Sequence, residues 1–280
     1  MTGSAKTWLV VNGASGSNGA DAVVELRTQL ANAGFPPGRT IDAQAEDVPD
    51  RDAVTGARVD LLVVFTGDGT LNCVLNGVAG WDGKVLVLPG GTANLLAKAL
   101  HGDRGTAEIV ARLSQLATVR RTAVRSAHGT ALIELLAGPG AAWSDVREAM
   151  RDGDIGDVVS GGIEAAQKSV ASQGVWISDP PVGREEGYAG VRLTPDAGGI
   201  AVAGYGAQGF GDIIRQGLAL LRRDYREGPH DELGLLAEIE CTALDGEPIA
   251  LMIDGERRTG CATERFSLVE LPLDLLAAEA

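Results

Sequence analysis

The chain holds 280 residues, 45% of them hydrophobic and 22% charged, the composition of an ordinary soluble globular protein with material for one large or two modest domains. Its formal net charge of −14 argues against generic nucleic-acid binding and against adhesion to anionic membranes through a polybasic patch. No apolar stretch approaches the ~20 residues needed to cross a bilayer, and the opening residues MTGSAKTW lack the apolar core of a signal peptide.

Taken in order, Trp8-Leu9-Val10-Val11 reads as a first strand, which runs into the glycine-rich stretch Asn12 to Gly19; Ala20 to Ala33 follows with helical periodicity. That stretch is not a Walker loop, because no Gly-Lys-Ser/Thr follows, and its GxxGxxG spacing is a poor dinucleotide fingerprint. Taken alone it is an ordinary strand-to-helix turn. Phe35-Pro36-Pro37-Gly38 is a breaker, Arg39 to Ala43 predicts a short second strand, and Glu46 to Ala57 a second helix whose true start Pro49 places late.

The next stretch, Val59 to Gly80, organises the rest. Leu61-Leu62-Val63-Val64-Phe65 has no polar interruption, as expected of a central parallel strand covered on both faces. It stops at Thr66-Gly67-Asp68-Gly69-Thr70, after which Leu71, Val74, Leu75 and Val78 recur at helical spacing. The loop therefore sits at a helix N-terminus, where unpaired N–H groups and a partial positive charge favour an anion such as phosphate. Gly67 and Gly69 permit close backbone approach, while Thr66 and Thr70 bring hydroxyls. Asp68, beside a bound polyphosphate, would be repelled unless it held a metal ion or accepted a proton, so it reads as a magnesium anchor or general base. By itself it is equally well a helix cap.

A second junction of the same kind follows at once. Val85-Leu86-Val87-Leu88 predicts another buried strand, then Pro89-Gly90-Gly91-Thr92-Ala93-Asn94, then a helical run through Leu95, Leu96, Ala99 and Leu100. Successive strand-to-helix turns of a parallel sheet share its carboxyl edge, so the two loops can converge on one nucleotide. A helix over Thr106 to Leu116 closes the segment.

Together these residues carry a family resemblance. TGDGTLNCVLNGVAG followed by VLVLPGGTANLLAKALHG resembles the catalytic domain of the diacylglycerol kinase and sphingosine kinase superfamily, with its GGDGT and PLGTGN loops. Asn12 to Gly19 resembles that family's N-P-x-S-G opening loop, with Gly13 where the proline stands. The resemblance is best from Thr7 to Gly102. It implies that Asn12, Ser15, Thr66, Gly67, Thr70, Gly91, Thr92 and Asn94 hold ATP and that Asp68 is the catalytic carboxylate, working with Mg2+.

Past Val119 the texture changes to short strand candidates separated by turns: 119–124, 131–136, 190–193 and 199–203. Helical inserts are predicted over 145–150, 163–170 and 211–225, and 152–157 reads as a solvated acidic turn rather than a calcium loop. Near the C-terminus Ile249 to Ile253 is an apolar strand ending in Asp254-Gly255-Glu256. In isolation this is a hairpin turn; by resemblance it is the family's closing D-G-E motif, which adds Asp254 and Glu256 to the catalytic set and Asp254, with Asp68, to the metal set. Cys73, Cys241 and Cys261, odd in number and widely spaced, form neither a disulfide framework nor a zinc pattern, as expected in a reducing cytoplasm. His101, His128 and His230 are likewise dispersed.

The expected fold is α/β: an N-terminal parallel-sheet nucleotide-binding domain over residues 1–118, a β-rich, antiparallel sandwich-like domain over 119–262, and 263–280 as a candidate to rejoin the first. The expected function is an ATP- and Mg2+-dependent lipid kinase acting in the cleft between the domains on a hydroxyl of diacylglycerol or a related lipid met at the membrane surface. The acidic chain does not oppose this, since ATP arrives with magnesium and binds mostly to backbone amides. Three departures bear on the acceptor: Thr66 replaces a glycine, PGGTAN replaces PLGTGN, and 136–145 is only a loose counterpart of the family's G-F-D-A segment. A kinase of a small soluble alcohol or nucleotide, as in NAD kinases, and a non-catalytic nucleotide sensor are the alternatives.

Overall fold

A computed structural model describes residues 5–13, 19–92, 94–139, 174–206 and 230–278. The chain forms two compact units, one of residues 1–121 with 270–280 and the other of residues 122–269.

In the first unit strands and helices alternate: β1 (Thr7–Val11), α1 (Ala20–Asn32), β2 (Pro37–Asp42), α2 (Arg51–Gly56), β3 (Leu61–Thr66), α3 (Asp68–Gly77), β4 (Lys84–Pro89), α4 (Leu95–His101), α5 (Thr106–Ala111) and β5 (Ala117–Val119). β1, β2, β3 and β4 are parallel, and β3 is buried along its whole length, which explains its uninterrupted apolar run. Leu9, Val63, Phe65 and Leu86 point to one face, where they pack with Leu26 and Leu30 of α1 and Ile109 and Val110 of α5. Each such fully buried aliphatic side chain stabilises the fold by about 1.5–3 kcal/mol.

Two predicted helices are shorter than their periodicity suggests. The segment expected over 46–57 becomes helical only at Arg51, because Asp50 serves as its cap and accepts the Ala53 N–H at 2.8 Å. The one expected over 106–116 ends at Ala111 and continues as a 3-10 turn over Leu113–Gln115.

The second unit comprises β6 (Thr122–Ser126), β7 (Gly129–Ala131), β8 (Leu135–Ala137), β9 (Val175–Asp179), β10 (Pro181–Val182), β11 (Gly190–Asp196), β12 (Gly199–Tyr205), β13 (Asp231–Leu236), β14 (Glu238–Ala243), β15 (Ala250–Ile253), β16 (Glu256–Thr259) and β17 (Thr263–Glu270). They make two six-stranded sheets, ordered β10-β9-β14-β17-β6-β7 and β13-β12-β11-β8-β15-β16, with antiparallel pairing. Side chains alternate in and out along β14, and Ile239 and Cys241 share one core with Val191, Val202, Leu251 and Phe266 from both sheets. The last strand, β18 (Asp274–Ala277), lies in the first unit, parallel to β4 and antiparallel to β5, and completes the sheet order β2-β1-β3-β4-β18-β5.

The single strand expected over 131–136 is divided into β7 and β8. Leu132, Ile133 and Glu134 leave the ladder because their backbone N–H groups turn to the carboxylate of Asp254. The helices expected over 145–150, 163–170 and 211–225, the acidic turn at 152–157 and most of the loose substrate-segment counterpart lie outside the described residues. Among the described residues no helix is long and apolar enough to cross a membrane.

Candidate functional site

The sheet order carries a switch point. From β1 the chain moves outward to β2, then returns past β1 to β3 and β4, so the connections leaving β1 and β3 set off in opposite directions along the sheet, the arrangement at whose carboxyl edge open α/β sheets hold their ligands. The glycine-rich loops predicted from the sequence emerge there.

Side chains tie the loops together. Asn12, at the end of β1, donates from Nδ2 to Thr70 Oγ1 in the first turn of α3 at 2.8 Å. Asp68, the first residue of α3, accepts from the backbone N–H of Leu95, the first residue of α4, at 2.9 Å. Asn94 takes the left-handed conformation, φ 53° and ψ 44°, which asparagine tolerates better than most residues. Its amide closes a ring with Gly91, accepting from the Gly91 N–H at 2.6 Å and donating to the Gly91 carbonyl at 2.8 Å. Thr66, almost fully buried, donates to the Gly67 carbonyl at 3.1 Å.

The two glycine loops touch through their backbones. A Cβ on Gly91 would stand 2.6 Å from Gly67 Cα, closer than atoms pack, so glycine at 91 is a steric requirement. Among the described residues no side chain caps α3, whose N-terminal N–H groups face the same edge. A narrow cradle of glycine backbone, helix N-terminus and threonine hydroxyls is what a phosphate chain needs, and Asp68 adds an oxygen ligand suited to Mg2+. Behind it, His101 at the end of α4 bonds the Val87 carbonyl of β4 at 3.1 Å; burial lowers its pKa, so a neutral ring pins α4 to the sheet.

Asn12, Thr66, Gly67, Asp68, Thr70, Gly91, Thr92 and Asn94 thus all stand at the three strand-to-helix junctions of one sheet edge. Ser15 lies outside the described residues. Asp254 and Glu256 belong to the second unit, in the two-residue turn between β15 and β16 and just after it. Asp254 and Gly255 have φ of 47° and 88°, the pair of positive values that a tight hairpin turn demands. The Asp254 side chain is buried: Oδ2 accepts the Leu132 N–H at 2.7 Å, and Oδ1 accepts those of Ile133 and Glu134 at 2.9 and 3.0 Å. Glu256 is partly exposed and pairs with Arg258 at 2.7 Å. Sequence reading found the carboxylates but not this amide nest, since the apolar run through 131–136 disguises the break.

An open parallel α/β sheet whose glycine loops meet at a switch point belongs to the class of nucleotide-binding α/β folds. Residues 6–127 match the family model described as the diacylglycerol kinase catalytic domain. That segment carries this chain's likeness to the diacylglycerol kinase catalytic-domain family. A solved structure described as a diacylglycerol kinase from Bacillus anthracis str. Sterne is similar over 99% of this chain and 98% of its own, with TM-score 0.65 and 18% identity. Another from the same organism, described as a "putative diacylglycerol kinase", matches over 99% of both chains with TM-score 0.63 and 17% identity. These likenesses establish the shared two-part fold. No curated protein matches the sequence.

Proposed function

We propose that the protein is an ATP-dependent phosphotransferase that phosphorylates an alcohol group of a lipid, with diacylglycerol the first candidate. The observation that carries this reading is the locked convergence of three loops at the switch point: Asn12 to Thr70, Asp68 to Leu95, and Gly67 against Gly91. The match of residues 6–127 to the diacylglycerol kinase catalytic-domain model supports the reaction class, and that model's namesake lipid supports the acceptor.

When bound, Mg·ATP supplies the transferable γ-phosphoryl group and the counter-charge that phosphoryl transfer needs. The chain supplies orientation. Backbone amides at the start of α3, the Thr66, Thr70 and Thr92 hydroxyls, Asn12, Ser15 and the Gly91–Asn94 ring hold the nucleotide. Asp68, its carboxylate fixed in direction by the Leu95 N–H, binds the metal or takes the proton of the attacking hydroxyl. Asp254 fixes the turn that carries Glu256, through its three amide bonds, and Glu256 assists with metal or proton. The lipid is met at a membrane surface by a cytoplasmic protein.

The test is magnesium-dependent transfer of labelled γ-phosphate from ATP to mixed-micelle lipids and to soluble alcohols, comparing wild type with Asp68→Asn. A labelled lipid made only by the wild type supports the proposal and names the acceptor. Transfer to a soluble alcohol alone replaces the lipid acceptor, and nucleotide binding without any transfer replaces the enzyme with a sensor.

A further inference from the structure

Sequence spacing separates His128, Cys261 and Glu264, yet the fold of the second unit gathers them. His128 lies in the turn from β6 to β7, which Ser126 shapes: its Oγ accepts the His128 N–H at 3.1 Å and donates to the Gly129 carbonyl at 3.1 Å. Cys261 lies in the connection from β16 to β17, and Glu264 on β17, the strand beside β6. His128 Nε2 donates to Glu264 Oε1 at 2.7 Å across 136 residues of chain, and the Cys261 backbone N–H reaches the same oxygen at 2.5 Å. One imidazole nitrogen, one sulfur and one carboxylate oxygen then lie within 4.8 Å of one another.

Two features separate this cluster from a simple ion pair. The Glu264 side chain is only 3% exposed, and a buried carboxylate is retained only with strong partners. Its place is shaped by Gly260, where a Cβ would come within 2.8 Å of Glu264 Oε1. A histidine–glutamate pair has no use for a thiol, whereas Cys261 sets a soft donor beside both groups, on the solvent-exposed side from which an ion can enter.

We propose that His128, Cys261 and Glu264 form a binding site for a borderline-soft divalent cation, zinc foremost. The donor set decides the ion. Mixed nitrogen, sulfur and oxygen ligands suit Zn2+, whereas Mg2+ and Ca2+ take oxygen sets, so this site is chemically distinct from the one proposed around Asp68. Around tetrahedral zinc neighbouring ligand atoms stand roughly 3.5 Å apart, so the 2.7 Å contact between Nε2 and Oε1 opens to admit the ion, while the 4.8 Å that bounds the cluster leaves the three donors within reach of one ion by side-chain rotation. Binding releases the thiol proton to solvent, and the imidazole gives up its Nε2 hydrogen bond to Oε1 and keeps its one proton on Nδ1. Three protein ligands leave a fourth position for water. The ion would clamp the β6–β7 turn to the start of β17, and its binding does not depend on the kinase reading.

The experiment titrates Co2+, then Zn2+, into protein carrying Cys73→Ser, which removes the other exposed thiol. The expected result is one Co2+ per chain with thiolate-to-cobalt charge-transfer absorption and intense visible bands of tetrahedral geometry, displaced by Zn2+ but not by excess Mg2+. Adding Cys261→Ser abolishes the charge-transfer band. His128→Asn weakens zinc binding by more than the roughly 10–100-fold cost of losing an outer-shell partner. Zinc also shields Cys261 from a thiol reagent. Because Cys261 is exposed, its serine variant should keep the metal-free melting temperature, which checks folding. Absence of the sulfur band in the parent, or its persistence after Cys261→Ser, overturns the proposal and leaves a His128–Glu264 pair.

Discussion

Asp68 Oδ1 accepts the backbone N–H of Leu95 at 2.9 Å, so one carboxylate joins the first residue of α3 to the first residue of α4. The same side chain is therefore both a strut and the proposed catalytic group, and two substitutions separate the roles. Asn keeps an acceptor oxygen for Leu95 but loses the charge; Ala loses both. Asp68→Asn should melt near the wild type and lose roughly 10²–10⁴-fold of phosphoryl transfer, the usual worth of a positioned acid–base group. Asp68→Ala should in addition lose about 1.5–3 kcal/mol of stability in denaturant titration. Full activity in Asp68→Asn would reduce the residue to a strut.

Gly91 tests the cradle itself. Alanine there brings a Cβ to 2.6 Å from Gly67 Cα, and neither backbone can yield without moving its loop. The expected cost is roughly 1–3 kcal/mol, as for other overpacked sites, together with weaker nucleotide binding by calorimetry. If Gly91→Ala binds nucleotide like the wild type, the two loops do not form one cradle.

What the sequence makes legible follows from the range of each interaction. β3 and β4 are plain because burial on both faces of a parallel sheet demands a continuous apolar run, and the loops after them are plain because only glycine permits their close approach. The late start of α2 follows from a cap at Asp50 that outweighs periodicity. The split at Leu132–Glu134 has no local signal, because its cause is a carboxylate some 120 residues away. The same holds for the site: residue types at 12, 68, 70 and 94 stand out in their loops, but the bonds from Asn12 to Thr70 and from Asp68 to Leu95 are tertiary and have no spacing to read. His128 and Glu264 are the extreme case, dispersed in sequence and 2.7 Å apart in the fold.

The D-G-E turn allows its two carboxylates to be told apart. In Asp254→Asn one oxygen becomes an NH2 group; if Oδ1 is kept for Ile133 and Glu134, a donor now faces the Leu132 N–H. That buried mismatch should cost about 1–3 kcal/mol. Glu256→Gln disturbs only a surface pair with Arg258 and should stay within about 0.5 kcal/mol of wild type, so any loss of transfer in it reports on chemistry. Equal stability losses in the two variants would contradict this division.

The three cysteines should differ sharply in reactivity. Cys73 and Cys261 are exposed, whereas Cys241 is fully buried in the sandwich core, where burial, with the nearby Glu240 charge, pushes its pKa up to about 12. In chelator-treated native protein a thiol reagent at neutral pH should label the first two and reach Cys241 only on unfolding. The same shift sets an alkaline weakness. The unfolded thiol ionises near its ordinary 9.0 and the folded one near 12, so between these values the native state holds one more proton than the unfolded chain. Stability from this group is complete below about pH 9 and falls as pH rises, by roughly 1.4 kcal/mol per unit. Tyr188, whose phenol is also raised by burial, acts in the same direction, so the quantity to measure is the difference in alkaline slope between wild type and Cys241→Ala. Identical slopes would mean that Cys241 is solvated before the fold opens, and early labelling of that thiol would show it directly.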